Sequence, residues 1–157
     1  MRLFISEYIT SGALADQHLP SSLLREGRAM RDAIIADFAA CAEVQVLTTC
    51  DTRIPPPDRA EVLMVQRAAD ESVLFQRLVS VADVVYVIAP ELDGVLLDRV
   101  QFVESRGRMS LNCRFPAVEL TADKPRSRYT CGPQTYQRLK HTRRRKPINS
   151  WSIGRAW

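Results

Sequence analysis

The sequence predicts an α/β protein: a Rossmann-like, mainly parallel sheet with helices on both faces, followed by a basic, irregular C-terminal tail. Three observations carry this. Short β-branched and apolar runs alternate with longer stretches of helical period. The run from Asp83 to Ala89, DVVYVIA, is almost continuously apolar, as in a central strand buried on both faces. The charge breaks sharply near residue 124. Up to Lys124 the chain holds 13 Lys and Arg against all 18 Asp and Glu, a net of −5, whereas 125–157 holds 9 basic groups and no acid. The expected domains are therefore 1–124 and 125–157.

The elements follow in order. Arg2 to Ser6 is a short β-branched and aromatic run closed by a polar, Gly-containing segment, which suits a first strand. Pro20 with Ser21 or Ser22 opens a helix through Leu23, Leu24, Met30, Ile34, Ile35 and Phe38, running to about Cys41. Val44 to Leu47 reads as a second strand. Asp51 to Asp58, with three consecutive prolines, reads as loop, and Asp51 and Asp58 as its solvated flanks. Val62 to Val65 is a third strand, and Asp70 is placed to N-cap a helix carrying Val73, Leu74, Leu78 and Val81. After the central strand, a helix from about Asp93 turns Leu96, Leu97, Val100 and Val103 inward and ends at Gly107. Met109 to Leu111 and Ala117 to Leu120 are two last strand candidates. In a parallel sheet of this kind ligands gather at the carboxyl ends of the strands, so the loops at 7–12, 48–51 and 90–94 should share one rim.

Composition narrows the function classes. A chain of 157 residues fits one domain, and one of this size buries about 68–70% of its unfolded surface, enough for a core without staples. The hydrophobic fraction of 46% and charged fraction of 25% are ordinary globular values. The longest apolar run, Val84 to Ala89, is far short of the roughly 20 residues of a membrane span. Glu7 interrupts the N-terminal apolar stretch too early for a secretory signal, and the expected location is cytoplasmic. Cys41, Cys50, Cys113 and Cys131 form no CxxC pair, and the histidines are His18 and His141, so free thiols are expected and no metal site. No G-x-G-x-x-G, G-x-x-x-x-G-K-[ST] or G-x-S-x-G occurs. His18 has no identifiable base or nucleophile partner, while Glu7, at a strand end, is placed where a carboxylate can hold an amine or a ribose.

Four segments carry a family resemblance: FISEYITSG after the first strand, LLREGRAM on the first helix, VIAPELDGVL after the central strand, and SLNCRFPAVELTADK. Over about residues 2–124 the chain resembles the N-terminal domain that precedes the ATP-grasp fold, in ligases similar to tyramine–glutamate ligase. In that family an Asp-Lys pair starts the helix leading into the nucleotide-binding subdomain, and the lysine approaches the nucleotide phosphates; Lys124 of TADK matches it. The family joins a carboxylate to an amine through an acyl phosphate, with ATP and magnesium. Topology and resemblance together place Glu7, Thr10, Ser11, Gly12, Glu91 and Asn112 toward a small substrate, an amino acid or amine, with Lys124 at the nucleotide-binding edge.

Departure from the family begins at Pro125, which falls within the first turns of the expected helix, and the 33 residues of 125–157 have no sustained apolar period. They contain no carboxylate side chain with which to bind magnesium, so this chain alone is expected to lack a complete ATP site and to be inactive. Two readings of 125–157 stand: a genuine basic tail, with Arg143 to Lys146 on phosphates and Tyr129, Tyr136, Trp151 or Trp157 stacking on bases, or a disordered segment from an altered reading frame or truncated gene. The simultaneous loss of acids, periodicity and resemblance favours the second. The alternatives to a ligase domain are thus a binding module with a nucleic-acid-binding tail and a homodimer formed through an uncovered sheet edge or helix face.

Overall fold

A computed structural model of the chain describes residues 1–90 and 93–122; Glu91, Lys124, Cys131 and the basic segment 125–157 lie outside the described residues. The elements are β1 (Arg2–Glu7), α1 (Ser21–Ala39), β2 (Gln45–Asp51), β3 (Glu61–Val65), α2 (Ala68–Val81), β4 (Val84–Ile88), α3 (Val95–Ser105), β5 (Met109–Ser110) and α4 (Phe115–Ala122). The strands form one sheet in the order β3-β2-β1-β4-β5, and all four pairings are parallel. The predicted fold class is the one observed.

Handedness distributes the helices. The chain moves from β1 to β2 in one direction, then returns past β1 from β3 to β4 in the other, and right-handed crossovers in opposite directions lie on opposite faces. Accordingly Ile34, Ile35 and Phe38 of α1 pack on Leu3, Ile5, Val46 and Val84 of one face. Phe75, Leu78 and Val79 of α2 and Val103 of α3 pack on Phe4, Leu47, Val85 and Val87 of the other. The direction reverses between β1 and β4, so their carboxyl ends flank the topological switch point, the place where such sheets bind ligands.

Four expectations are corrected. Ala117 to Leu120 lies in helix α4, not in a strand: Pro116 stands in the first turn, where its missing N–H costs nothing, and Val118 is buried. Asp70 does not cap α2, which begins two residues earlier; the Ala68 N–H is instead accepted by Asp16 Oδ2 at 3.0 Å, and Asp70 pairs with Arg67. β2 does not stop at Leu47, so residues 48–51 are strand rather than rim loop. Asp51 is not solvated but 1% exposed, held by Arg53 at 2.7 Å. The end of α3 follows the sequence, with Gly107 at φ +65° just past the cap, a conformation a side chain would strain.

Candidate functional site

The last two residues of β1 face opposite ways and meet different environments. Glu7 continues the Leu3, Ile5 face beneath α1 and is 2% exposed. Its carboxylate accepts the backbone N–H of Ile9 at 3.0 Å and of Thr10 at 2.7 Å, closing the loop that leaves the strand. Gly27 of α1 crosses directly above: a Cβ there would stand 2.8 Å from Glu7 Oε2, so only glycine lets the helix approach. The loop then folds inward. Thr10 and Ser11 are fully buried, the Thr10 carbonyl accepts Asp51 N–H at 2.8 Å, and Ser11 Oγ donates to the Tyr8 carbonyl at 3.1 Å. Gly12, at φ +98°, lies so close to Val65 that a Cβ would come within 2.5 Å of Cγ1. The structure thus brings Glu7, Thr10, Ser11 and Gly12 together at the predicted rim, with their polar groups satisfying one another.

Ser6 points to the other face, where the ends of α2 and α3 leave an open cleft of about 320 Å³ lined chiefly by Tyr8, Glu71, Ser72, Phe75, Asp98 and Arg99. Its floor is an ion pair. Arg99 donates to Glu71 Oε1 at 2.9 Å and Oε2 at 2.8 Å, a bidentate fork, and to Ser6 Oγ at 2.8 Å. Glu71 is 2% exposed and Arg99 12%. The guanidinium also lies 4.4 Å from the Phe75 ring centroid and 4.9 Å from that of Tyr8, so aromatic faces supply part of its solvation. These contacts use three of the five N–H groups of Arg99, leaving it donor capacity for a ligand carboxylate. Asp98, exposed and lining the same cleft, offers an acceptor for an ammonium group.

The remaining predicted residues are dispersed. Asn112 completes the sheet rather than facing a ligand: its Oδ1 accepts Val87 N–H at 2.9 Å and its Nδ2 donates to the Val87 carbonyl at 2.7 Å, standing in for a strand partner beyond β5. Glu91 and Lys124 lie outside the described residues. His18 is exposed. Cys41 and Cys113 are exposed free thiols, and Cys50 is buried. Burial pushes the Cys50 thiol above its usual range, although the Arg31 charge and hydrogen bond act the other way. Among the described residues, no group of three or more His, Cys, Asp or Glu could hold a metal ion. No helix among them is long and apolar enough to cross a membrane.

Glu71 and Arg99 carried no motif. Their signal was positional: Glu71 shares a helical stripe with the buried Phe75 and Leu78, and Arg99 one with Leu96 and Val103. Opposite charges on the inward stripes of two helices that cover one face must pair or remain costly.

Residues 44–118 match the family model of the pre ATP-grasp 3 domain. That span contains both helices of the cleft. A crystal structure of a protein from Archaeoglobus fulgidus, described as of the ATP-grasp superfamily, superposes with a TM-score of 0.62 at 20% identity. The superposition covers 90% of this chain and 40% of that one, so the chain spans well under half of its neighbour's length and shares its fold. A comparison with curated proteins finds no match. The family match thus covers just under half of the chain, and the solved structure shares its fold.

Proposed function

We propose that this chain is the substrate-side domain of an ATP-dependent carboxylate–amine ligase, of the kind that includes tyramine–glutamate ligase, and that its cleft between α2 and α3 holds the small substrate. The observation that carries this is the overlap of the pre-ATP-grasp match, 44–118, with both helices of a cleft at the sheet's switch point. Arg99 would bind a ligand carboxylate and Asp98 an ammonium, while Tyr8 and Phe75 exclude water from the aliphatic or aromatic part between. The described residues do not fit magnesium, which needs several oxygen ligands converging on one point. On this reading magnesium and nucleotide are held outside the described residues, and the described α/β unit by itself forms no acyl phosphate.

Calorimetry on the chain with a panel of amino acids and amines tests this, with and without magnesium and ATP. Binding of a small substrate without nucleotide, and no micromolar binding of ATP, is the expected result. Micromolar, magnesium-dependent ATP binding overturns it. A second reading, a nucleic-acid-binding module, rests on the 9 basic groups and absent acids of 125–157. It predicts that Trp151→Ala or Trp157→Ala weakens single-strand binding at fixed salt, whereas attraction through charge alone leaves both silent.

A further inference from the structure

Helix α1 carries Arg25, Arg28 and Arg31, and the fold does not use them alike. Arg31 is fully buried. Its Nε donates to Asp32 Oδ1 at 2.8 Å, Nη2 stands 2.8 Å from the same oxygen but out of line for a hydrogen bond, and Nη1 donates to Cys50 Sγ at 3.5 Å. Asp32 therefore meets its charge. Arg25 and Arg28 have no such acid: among the described residues neither forms an ion pair. The Nε of Arg28 is moreover buried without any hydrogen-bond partner, and a buried donor that the protein leaves empty calls for a group from outside it.

Both guanidinium groups belong to one hollow. Among the described residues Ser21, Leu24, Arg25, Arg28 and Asp32 line a cavity of about 300 Å³. Positions 21, 25, 28 and 32 follow one another by four, three and four, a single stripe of a helix. Long side chains on a helix lean toward its N-terminus, which carries both arginines toward the first turn. That turn is open to an anion. It holds no acid and no side-chain cap, and the first helical bond, Leu24 N–H to the Pro20 carbonyl at 2.9 Å, leaves the N–H groups of Ser21, Ser22 and Leu23 outside the ladder. Asp32, the acid of this lining, is occupied by Arg31, so the hollow keeps the charge of Arg25 and Arg28. Gly27 stands over Glu7 at the end of β1 and Ile35 packs on Leu3 and Val46, so α1 begins at the carboxyl end of the sheet, where ligands gather.

We propose that this hollow on α1 binds a phosphate group, on the face of the sheet opposite the α2–α3 cleft. Charge and shape select phosphate over carboxylate. Two arginines match a dianion, and their forks pair oxygens of a tetrahedral oxyanion while the Ser21 hydroxyl and the first-turn N–H groups are left for the others. A carboxylate brings one charge and two oxygens, which a single arginine fork takes up. Leu24 gives the hollow an apolar side for whatever carries the phosphate. The site uses none of the cleft residues and stands whether or not the cleft binds a substrate.

Nuclear magnetic resonance of the full chain tests this, with titration of sodium phosphate, glycerol phosphate or acetate at constant ionic strength and without magnesium, near about pH 8, where phosphate is dianionic. The basic residues of 125–157 attract anions too, so the readout is local: the Arg28 Nε–H signal and the amides of Ser21, Ser22 and Leu23. Saturable shifts there with a dissociation constant of about 1 mM or below are expected for phosphate. Tighter binding of glycerol phosphate supports the site as one for an ester, and tighter binding of inorganic phosphate supports it as one for the free ion. By the amide signals, Arg25→Gln and Arg28→Gln, each shown to be folded by circular dichroism, should each weaken binding about tenfold or more, and Arg28→Lys, which keeps the charge without the fork, should recover only part of the loss. Shifts that do not saturate by about 20 mM, acetate binding as tightly at the same signals, or saturation unchanged in both glutamine variants overturns the proposal.

Discussion

Glu7 and Glu71 are each 2% exposed at the same end of the sheet, on opposite sides of β1, and they solve the cost of burial differently. Glu7 is neutralised locally: two N–H groups of its own loop surround the carboxylate, and Gly27 closes over it. Glu71 is neutralised from another helix, by Arg99, whose guanidinium spans Ser6, Glu71 and the rings of Tyr8 and Phe75. The first arrangement fixes a backbone path and leaves no group facing outward. The second joins β1, α2 and α3 across the floor of an open cleft. The Glu7 carboxylate is thus consumed by its own loop, whereas the partner of Glu71 retains donors beside open space, which is why the cleft is the proposed site.

The largest effect should come from breaking the pair on the cleft side. Arg99→Leu leaves the Glu71 carboxylate buried without a partner and should cost about 3 to 5 kcal/mol in denaturant unfolding, whereas Arg99→Leu combined with Glu71→Leu should recover much of it. A loss below 1 kcal/mol for the single change would show that Glu71 finds solvent. On the other side, Gly27→Ala drives a methyl group toward Glu7 Oε2, and the helix must shift away. A loss of about 1 to 3 kcal/mol is expected, with ligand binding in the α2–α3 cleft retained.

The smallest effect is a pH dependence at Asp51, at the end of β2. Burial pushes its carboxyl up, but hydrogen bonds from the Arg53 side chain and backbone, with the Arg53 charge, outweigh this and hold it below the usual range. A carboxyl depressed by folding stabilises the protein above its unfolded pKa, and that contribution is lost as pH falls through the folded pKa. Because Arg53 is 41% exposed and screened, the expected contribution is about 1 kcal/mol or less. Asp51→Asn should therefore lower stability slightly at pH 7 and make no difference at pH values well below about 3.9. A difference that persists in acid would assign the effect to packing.

The order of strands and helices was legible because hydrophobic period is set by which face is buried. The second half of β2 was not, since Thr48, Thr49, Cys50 and Asp51 read as polar. Thr48 and Asp51 are buried with partners, Thr48 Oγ1 on the Ile5 carbonyl at 2.8 Å and Asp51 on Arg53, whereas Thr49 Oγ1 is buried without one. Helix α4 was missed for want of length: eight residues give too few turns for period to separate helix from strand. At the site, topology located the rim and the loop of Glu7, Thr10, Ser11 and Gly12, but the direction of each side chain depends on the parity of a strand that one sequence does not fix. Asn112 was noticed as a polar residue near a strand, and its role as a substitute strand partner required the position of Val87. Arg99 and Glu71 were visible only as charges on apolar stripes, and their pairing depends on how α2 and α3 cross the sheet.

The central claim, that the substrate site is the α2–α3 cleft floored by Arg99, is tested most directly by following backbone amide shifts in the nuclear magnetic resonance spectrum during titration with amino acids and amines. The account predicts saturable shifts concentrated on Tyr8, Glu71, Ser72, Asp98 and Arg99, abolished by Ser72→Trp, which puts a large ring on the lining of the cleft and keeps Glu71 and Arg99. Saturable shifts confined to the α1 face around Glu7 and Gly27, or binding that survives Ser72→Trp unchanged, would contradict it.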